Sequence, residues 1–233
     1  MSSKTMWAVA AVLALALAAL AGVGYLAARK IGGVPERGSK PWPGVDEKQI
    51  VAVLDGMLTG PHSDILSVPP DDGRILRLLA ESTGAENIVE IGTSNGYATL
   101  WLCLALRTTG GKITTFEIDP ERIALARENF EQAGVDKFVT IFEGDAHENV
   151  TKLTEPIDII FIDADKGGYL DYLNKLLPLV RPGGLVVAHD AIDSAERMQE
   201  YLDAVTTNTA LETVVLKGGG PGITVTLKKQ KGQ

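Results

Sequence analysis

A single cysteine, Cys103, is all the thiol this sequence contains, which excludes an internal disulfide and any cysteine-rich zinc centre. It lies in an apolar run, where a free thiol packs as a small hydrophobe rather than acting as a nucleophile. Positive charge is scarce as well: 22 Lys and Arg stand against 30 Asp and Glu, a net charge of −8. Such a chain lacks the electrostatic footprint of a nucleic-acid binder. There is no Gly-Lys-Ser/Thr cradle for a phosphate, and no Gly-x-Ser-x-Gly elbow or Ser/His/Asp arrangement stands out to suggest a hydrolase. Internal repeats are absent too. The 233 residues suit one α/β domain with an appendage.

The appendage is the N-terminus. From Met6 to Ala28 no residue is charged and Ala, Leu and Val dominate, a length that spans a bilayer as a helix. Two readings compete. A signal peptide would have Lys4 as its basic start and Ala19-Leu20-Ala21 as its cleavage site. An uncleaved anchor would run on to Arg29-Lys30. Basic residues favour the C-terminal flank, with Arg29, Lys30, Arg37 and Lys40 against Lys4 alone. The expectation is a single-pass transmembrane helix within residues 1–30, with the globular part in the cytoplasm. Residues 31–45 read as a linker, and 46–233 as the globular domain. Trp42 is expected to be an interfacial anchor and Trp101 a core residue.

From residue 46 helices alternate with strands. Helical spacing covers Asp46–Leu58, Gly73–Ser82, Tyr97–Arg107, Ile123–Ala133 (after Pro120), Tyr169–Leu177 and Ser194–Val205. Strands are expected at Asn87–Ile91, Lys112–Glu117, Phe138–Phe142, Ile157–Ile162, Leu185–Ala188, Thr213–Leu216 and Ile223–Leu227, with a turn at Pro182-Gly183-Gly184. This order predicts a Rossmann-like, doubly wound α/β fold whose seven-stranded sheet is mostly parallel. The link Lys217–Gly222 is too short for a helical crossover, so one antiparallel strand is expected near the C-terminus.

Ligands of such sheets bind beyond the C-terminal strand ends. Here those ends read Glu90–Gly96, Glu117-Ile118-Asp119, Gly144-Asp145-Ala146, Asp163-Ala164-Asp165-Lys166 and His189-Asp190. Recurrent acid repels a pyrophosphate but holds a ligand with a sulfonium, an ammonium and ribose hydroxyls. Gly92 and Gly96 let the backbone approach a ligand, yet the third glycine of the dinucleotide fingerprint is missing. Glu117, ending the next strand, suits a ribose diol.

Five segments, EIGTSNGYATLWLCLAL, FEIDPERIALARENFEQAGV, GDA, FIDADKGGYLDYL and LVRPGGLVVAHD, resemble the cation-dependent O-methyltransferases. That family includes catechol and caffeoyl-coenzyme A O-methyltransferases. The resemblance runs from about Val68 to Lys228 and implies S-adenosylmethionine as cofactor, with a divalent cation, Mg²⁺. It implies that Glu90, Gly92, Thr93 and Ala98 surround the methionine part of the cofactor, with Ser94 and Gly96 in the same turn. Glu117 would hold the ribose, Asp145 and Ala146 flank the adenine, and Val68 closes over the cofactor. Asp165 would place the amino end, Asp163 and Asp190 match the metal-binding aspartates, and Lys166 matches the general base. Asp163 is thus expected to serve both metal and catalysis. Relatives often pair as homodimers, the assembly the resemblance suggests, and a cytosolic cofactor agrees with a cytoplasmic catalytic domain.

Methyl transfer from a sulfonium needs alignment and a deprotonated acceptor oxygen. A phenol, with a pKa near about 10, is mostly protonated at neutral pH, so a hard cation and a lysine would help to ionise it. The resemblance thus implies a small phenolic or catechol-like acceptor. The chain departs from the family pattern in having Ala191 where an Asn usually follows the second metal aspartate, and His189 before it. The segment after Asp190 is shorter and lacks the usual Leu-Trp pattern. Asp193 or water would then complete the metal's ligands. A metal-independent methyltransferase with a non-catechol acceptor and an inactive cofactor-binding protein stay open as alternatives. His147 reads as a surface residue near the adenine position, His189 as either a packed strand residue or a group behind the metal, and His62 as unconnected to chemistry.

Overall fold

A β-strand turns successive side chains to opposite faces, and this chain uses that alternation to build a core on each side of one sheet. The computed structural model describes residues 40–65, 68–217 and 220–230. Its strands are β1 (Asn87–Ile91), β2 (Lys112–Glu117), β3 (Val139–Glu143), β4 (Ile157–Ile162), β5 (Val180–His189), β6 (Leu211–Leu216) and β7 (Ile223–Lys228). They lie in the order β3-β2-β1-β4-β5-β7-β6. Neighbours from β3 through β5 pair in parallel, and β7 runs antiparallel to both β5 and β6. This is the predicted Rossmann-like sheet, with its reversed strand at the predicted place.

Helices α1 (Glu47–Thr59), α2 (Pro70–Ser82), α3 (Tyr97–Thr109), α4 (Pro120–Ala133), α5 (Ala146–Asn149), α6 (Tyr169–Leu176) and α7 (Gln199–Thr207) cover the faces. One core joins Ile88, Ile159, Phe161 and Val187 of the sheet to α1, α2, α3 and α4 through Ile50, Leu76, Leu100 and Phe130. The other joins Val89, Ile91, Ile160, Ile162, Val186 and Ala188 to Tyr169 and Tyr172 of α6 and Tyr201 of α7. Glu90 shares its parity with Ile88, and His189 with Val187. Both polar side chains are therefore committed to the face that α2 and α3 cover. Local signals fix the helix ends: Asp119 caps α4 by accepting from the N–H of Glu121 and Arg122, with Pro120 in its first turn.

Several boundaries depart from expectation. β5 begins at Val180 rather than Leu185, because Ile157 pairs with Val180 and Ile159 with Leu185, so the expected Pro182-Gly183-Gly184 turn is a bulge within the strand. Ser194–Val205 is not one helix; a 3₁₀ turn over Ala195–Met198 precedes α7. The short helix α5 was not foreseen.

Two larger expectations need correction. Among the described residues no helix is long and apolar enough to cross a membrane. Residues 1–30, on which the anchor reading falls, lie outside the described residues. The transmembrane helix, and with it the single-pass membrane location, therefore has no support in the structure. Trp42 is not an interfacial anchor either. It is buried, stacks on Phe138 with ring centroids 4.0 Å apart, and donates its indole N–H to the carbonyl of Gly111 at 2.8 Å. Its backbone N–H reaches Arg107 O at 2.9 Å. An aromatic buried with its polar atom satisfied is core, whatever the composition around it. Trp42→Ala is expected to lose about 3–5 kcal/mol of stability, read from the midpoint of denaturant unfolding; a loss under about 1 kcal/mol would contradict this packing.

Candidate active site

The C-terminal ends of β1, β2, β4 and β5 open on a cleft of about 810 Å³, a size that suits a nucleoside-bearing ligand. Its first wall is the turn after β1. Gly92 adopts φ +97°, and a Cβ there would sit 2.3 Å from Asp163 O. Only glycine lets the exits of β1 and β4 lie this close. Gly92 N–H and Thr93 N–H both donate to Phe116 O, at 3.0 and 3.1 Å, which ties the turn to β2. Glu117 then holds the turn from the other side. Its carboxylate accepts from the N–H of Ser94 at 2.8 Å, Ile118 at 2.9 Å and Asp119 at 3.0 Å, and Oε2 keeps acceptor capacity toward the cleft.

Residues Gly92–Gly96 do spell Gly-x-Ser-x-Gly, with Ser94 at φ +50°. It is no nucleophile elbow. The Ser94 hydroxyl points to Ile65 O at 3.4 Å, and among the described residues it makes no hydrogen bond to a histidine that could serve as its base.

At the tips of β4 and β5 the charges interlock. Lys166 Nζ, on a side chain that is only 9% exposed as a residue, lies 3.0 Å from Asp163 Oδ1 and 2.6 Å from Asp190 Oδ2. It also donates to Tyr169 Oη at 2.8 Å. Asp190 adopts φ +62°, a left-handed conformation that is costly for a residue with a Cβ and marks a functional site when held. Behind them His189 is fully buried, with Nε2 3.1 Å from Asp72 Oδ2 of α2. Burial lowers the His189 pKa, but Asp163, Asp190 and Asp72 outweigh it and hold the pKa above the ordinary value. Burial likewise pushes the Asp163 pKa up, and His189 and Lys166 prevail to hold it down. Asp163, His189 and Asp190 each offer one atom within 4.8 Å of the others, a spacing that could hold a metal ion.

The structure brings Gly92, Ser94, Glu117, Asp145, Ala146, Asp163, Asp165, Lys166 and Asp190 together on this one cleft. Six acids line it (Asp64, Glu117, Asp145, Asp163, Asp165, Asp190) against Arg122 and Lys166, so a cationic ligand is favoured there. Glu90, Thr93, Gly96, Ala98 and Val68 do not line it. Glu90, Thr93, Ala98 and Val68 are buried, and Gly96, at φ +87°, caps the start of α3. Thr93 Oγ1 bonds Thr115 Oγ1 at 2.6 Å.

Two lining residues were underrated. His147 stacks on Tyr172 with centroids 4.3 Å apart, and its Nδ1 lies 2.6 Å from Asp171 Oδ2. Tyr172 donates its hydroxyl to Asp165 Oδ1 at 2.8 Å. The helical repeat Asp165–Tyr169–Tyr172 carried that signal. Asp72 carried none, being 117 residues from His189.

Residues 44–213 match the family model described as O-methyltransferase. The chain belongs to the O-methyltransferase family. This O-methyltransferase is 37% identical over 171 residues to a catechol O-methyltransferase of Niastella koreensis, covering 65% of this chain and 76% of that one. It superposes on the O-methyltransferase from Bacillus cereus solved in complex with SAH, with a TM-score of 0.67 and 27% identity over 79% of this chain and 92% of that one. The O-methyltransferase TomG from Streptomyces achromogenes, solved with SAM, shares the fold at a TM-score of 0.68 and 24% identity, covering 79% and 91% of the two chains. The chain is an S-adenosylmethionine-dependent enzyme that methylates oxygen.

Glu90 gives the site a measurable pH signature. It is fully buried, accepts from Thr99 Oγ1 on Oε2, and leaves Oε1 without a partner. Burial, opposed by the Thr115 and Thr99 hydroxyls and reinforced by Asp163 and Glu117, pushes its pKa up from 4.5 to about 8. Between those values the folded chain holds a proton that the unfolded chain has released, so stability falls as pH rises through that window. Glu90→Gln removes the titration. In thermal melts of the cofactor-free protein, the variant's Tm is expected to gain on wild type by roughly 5 °C or more between pH 5 and pH 9. A gap that stays constant with pH would refute a neutral Glu90.

Proposed function

We propose that this O-methyltransferase acts on the hydroxyl of a small phenolic or catechol-like acceptor, assisted by a divalent cation such as Mg²⁺ on Asp163 and Asp190. The observation that carries the reading is the meeting of Asp163, Asp190 and Lys166 at the mouth of an acidic cleft. The similarity to the Niastella catechol O-methyltransferase supports the acceptor class.

The residues fit both missing groups. The cleft is roomy and acidic, as a sulfonium donor requires, and Asp163 Oδ2 is buried without a hydrogen-bond partner, as an oxygen kept for a cation would be. Glu117 binds the ribose on Oε2, while Asp145 and Ala146 border the adenine together with His147. The turn from Gly92 to Gly96 meets the methionine part, with buried Glu90, Thr93, Ala98 and Val68 supporting it. Asp165, oriented by Tyr172, receives the amino end. S-adenosylmethionine, when bound, supplies a methyl on a sulfonium whose carbon–sulfur electron pair returns to sulfur on transfer. A divalent cation, when bound, lowers the cost of a phenolate and accepts a vicinal diol as chelator. With the carboxylates so engaged, Lys166 is freed to take the hydroxyl proton at Nζ, and Tyr169 steers that amine.

A second reading has its own observation: Lys166 Nζ already sits between both aspartates, so an ammonium could do the cation's work. Methyl transfer from labelled cofactor to a panel of catechols separates the two. Activity should rise with added Mg²⁺ and vanish with a strong chelator; activity that survives the chelator establishes the metal-independent reading instead. Asp163→Ala and Lys166→Met are each expected to lower kcat by roughly 100-fold or more, and an unchanged rate in either variant removes that residue from the reaction. Glu117→Gln should instead weaken SAH binding by roughly tenfold or more in calorimetry, and unaltered affinity would rule out its ribose role.

A further inference from the structure

The aspartates of β4 and β5 are used unevenly. Lys166 takes Asp163 Oδ1 and Asp190 Oδ2. The opposite oxygens, Asp163 Oδ2 and Asp190 Oδ1, face His189 Nδ1 at 3.4 and 3.5 Å. Neither Asp163 Oδ2 nor His189 Nδ1 has a hydrogen-bond partner, although both are buried. A buried polar atom without a partner is expensive, and two that face each other call for something between them. On its far side the imidazole meets Asp72 Oδ2 at 3.1 Å. Asp72 is itself fully buried at the start of α2. Where Asp72 Oδ2 accepts from the ring, Nε2 carries a proton; a bound cation would displace any proton from Nδ1, which faces the two aspartates.

We infer that His189 Nδ1 is a direct ligand of the divalent cation, joining Asp163 Oδ2 and Asp190 Oδ1, with Asp72 as the positioning residue that fixes its tautomer. The inference rests on the reading that Asp163 and Asp190 hold a cation. It accounts for Ala191, which offers no side-chain oxygen: a nitrogen on the preceding residue takes the place of the absent ligand. The carboxylate–imidazole–metal relay is a known way to orient a ligand and strengthen it as a donor. One nitrogen among two carboxylates also changes the metal. Imidazole suits borderline first-row ions, while Mg²⁺ prefers an all-oxygen shell. Such a site accepts Mg²⁺ but favours a borderline ion such as Co²⁺ over it.

The test uses the full chain with Co²⁺, Mn²⁺ and Mg²⁺ as probes. Calorimetric titration is expected to give about tenfold or greater preference for Co²⁺ over Mg²⁺, and the Mn²⁺-loaded protein should show nitrogen hyperfine coupling in pulsed EPR. His189→Asn and Asp72→Asn should each weaken Co²⁺ binding by roughly 10–100-fold, with His189→Asn altering Mg²⁺ binding much less. Should either variant fail to fold by circular dichroism, the nitrogen coupling in the unmodified protein decides. Equal affinity for Co²⁺ and Mg²⁺ without nitrogen coupling overturns the histidine ligand and leaves the cation on its aspartates. Binding of none of the three ions overturns the cation reading itself, and this inference with it.

Discussion

Negative charge crowded at one rim of the sheet is the constraint to which the rest of the molecule answers. Asp163, Asp165, Asp190 and Glu117 lie on one cleft, with Glu90 buried just behind. Like charges so close cannot all remain ionised and unpaired in a low-dielectric setting. The chain resolves the conflict differently at each position. Glu117 is satisfied by three backbone N–H groups of the turn it shapes. Asp163 and Asp190 share Lys166. Asp165 accepts from a tyrosine, and Glu90 gives up its charge to burial. What remains faces the cleft as a field that attracts a positively charged methyl donor.

This arrangement ties catalysis to the architecture. Each acid sits where a parallel strand stops, so the register of β1, β4 and β5 sets the distances between them. The backbone strain at Asp190, with φ +62°, is retained only because the surrounding pairing over-determines it: Ala191 N–H to Gly222 O at 2.9 Å and Ser194 N–H to Asp190 O at 3.0 Å. Stability and function draw on the same strand ends.

Much of this was legible in the residues themselves. Apolar runs such as Ile157–Ile162 announce strands covered on both faces, and the acids at their ends follow directly from that placement. What escaped the sequence depends on long-range partners. Trp42 sits in a stretch rich in proline and glycine, and only Phe138 and Gly111, far along the chain, reveal it as core. His189 reads equally as a packed strand residue or as a group behind the metal until α2 brings Asp72 beneath it. Composition suggested a membrane helix in the apolar N-terminal stretch, which lies outside the described residues, and no described helix has that character.

The bulge in β5 has a consequence for how this chain tolerates changes in length. Between the pairing of Ile157 with Val180 and that of Ile159 with Leu185 the strand carries slack. A residue lost or gained within that slack alters only the size of a surface kink. From Leu185 to His189 there is none, since Val186, Val187 and Ala188 each oppose a partner on β4 and on β7. A single deletion in that stretch that drew the following residues back would turn the imidazole to the opposite face, toward Tyr169 and Tyr201, and set the Asp190 side chain against Asp72. Insertions and deletions among relatives should therefore cluster before Leu185 and stop there.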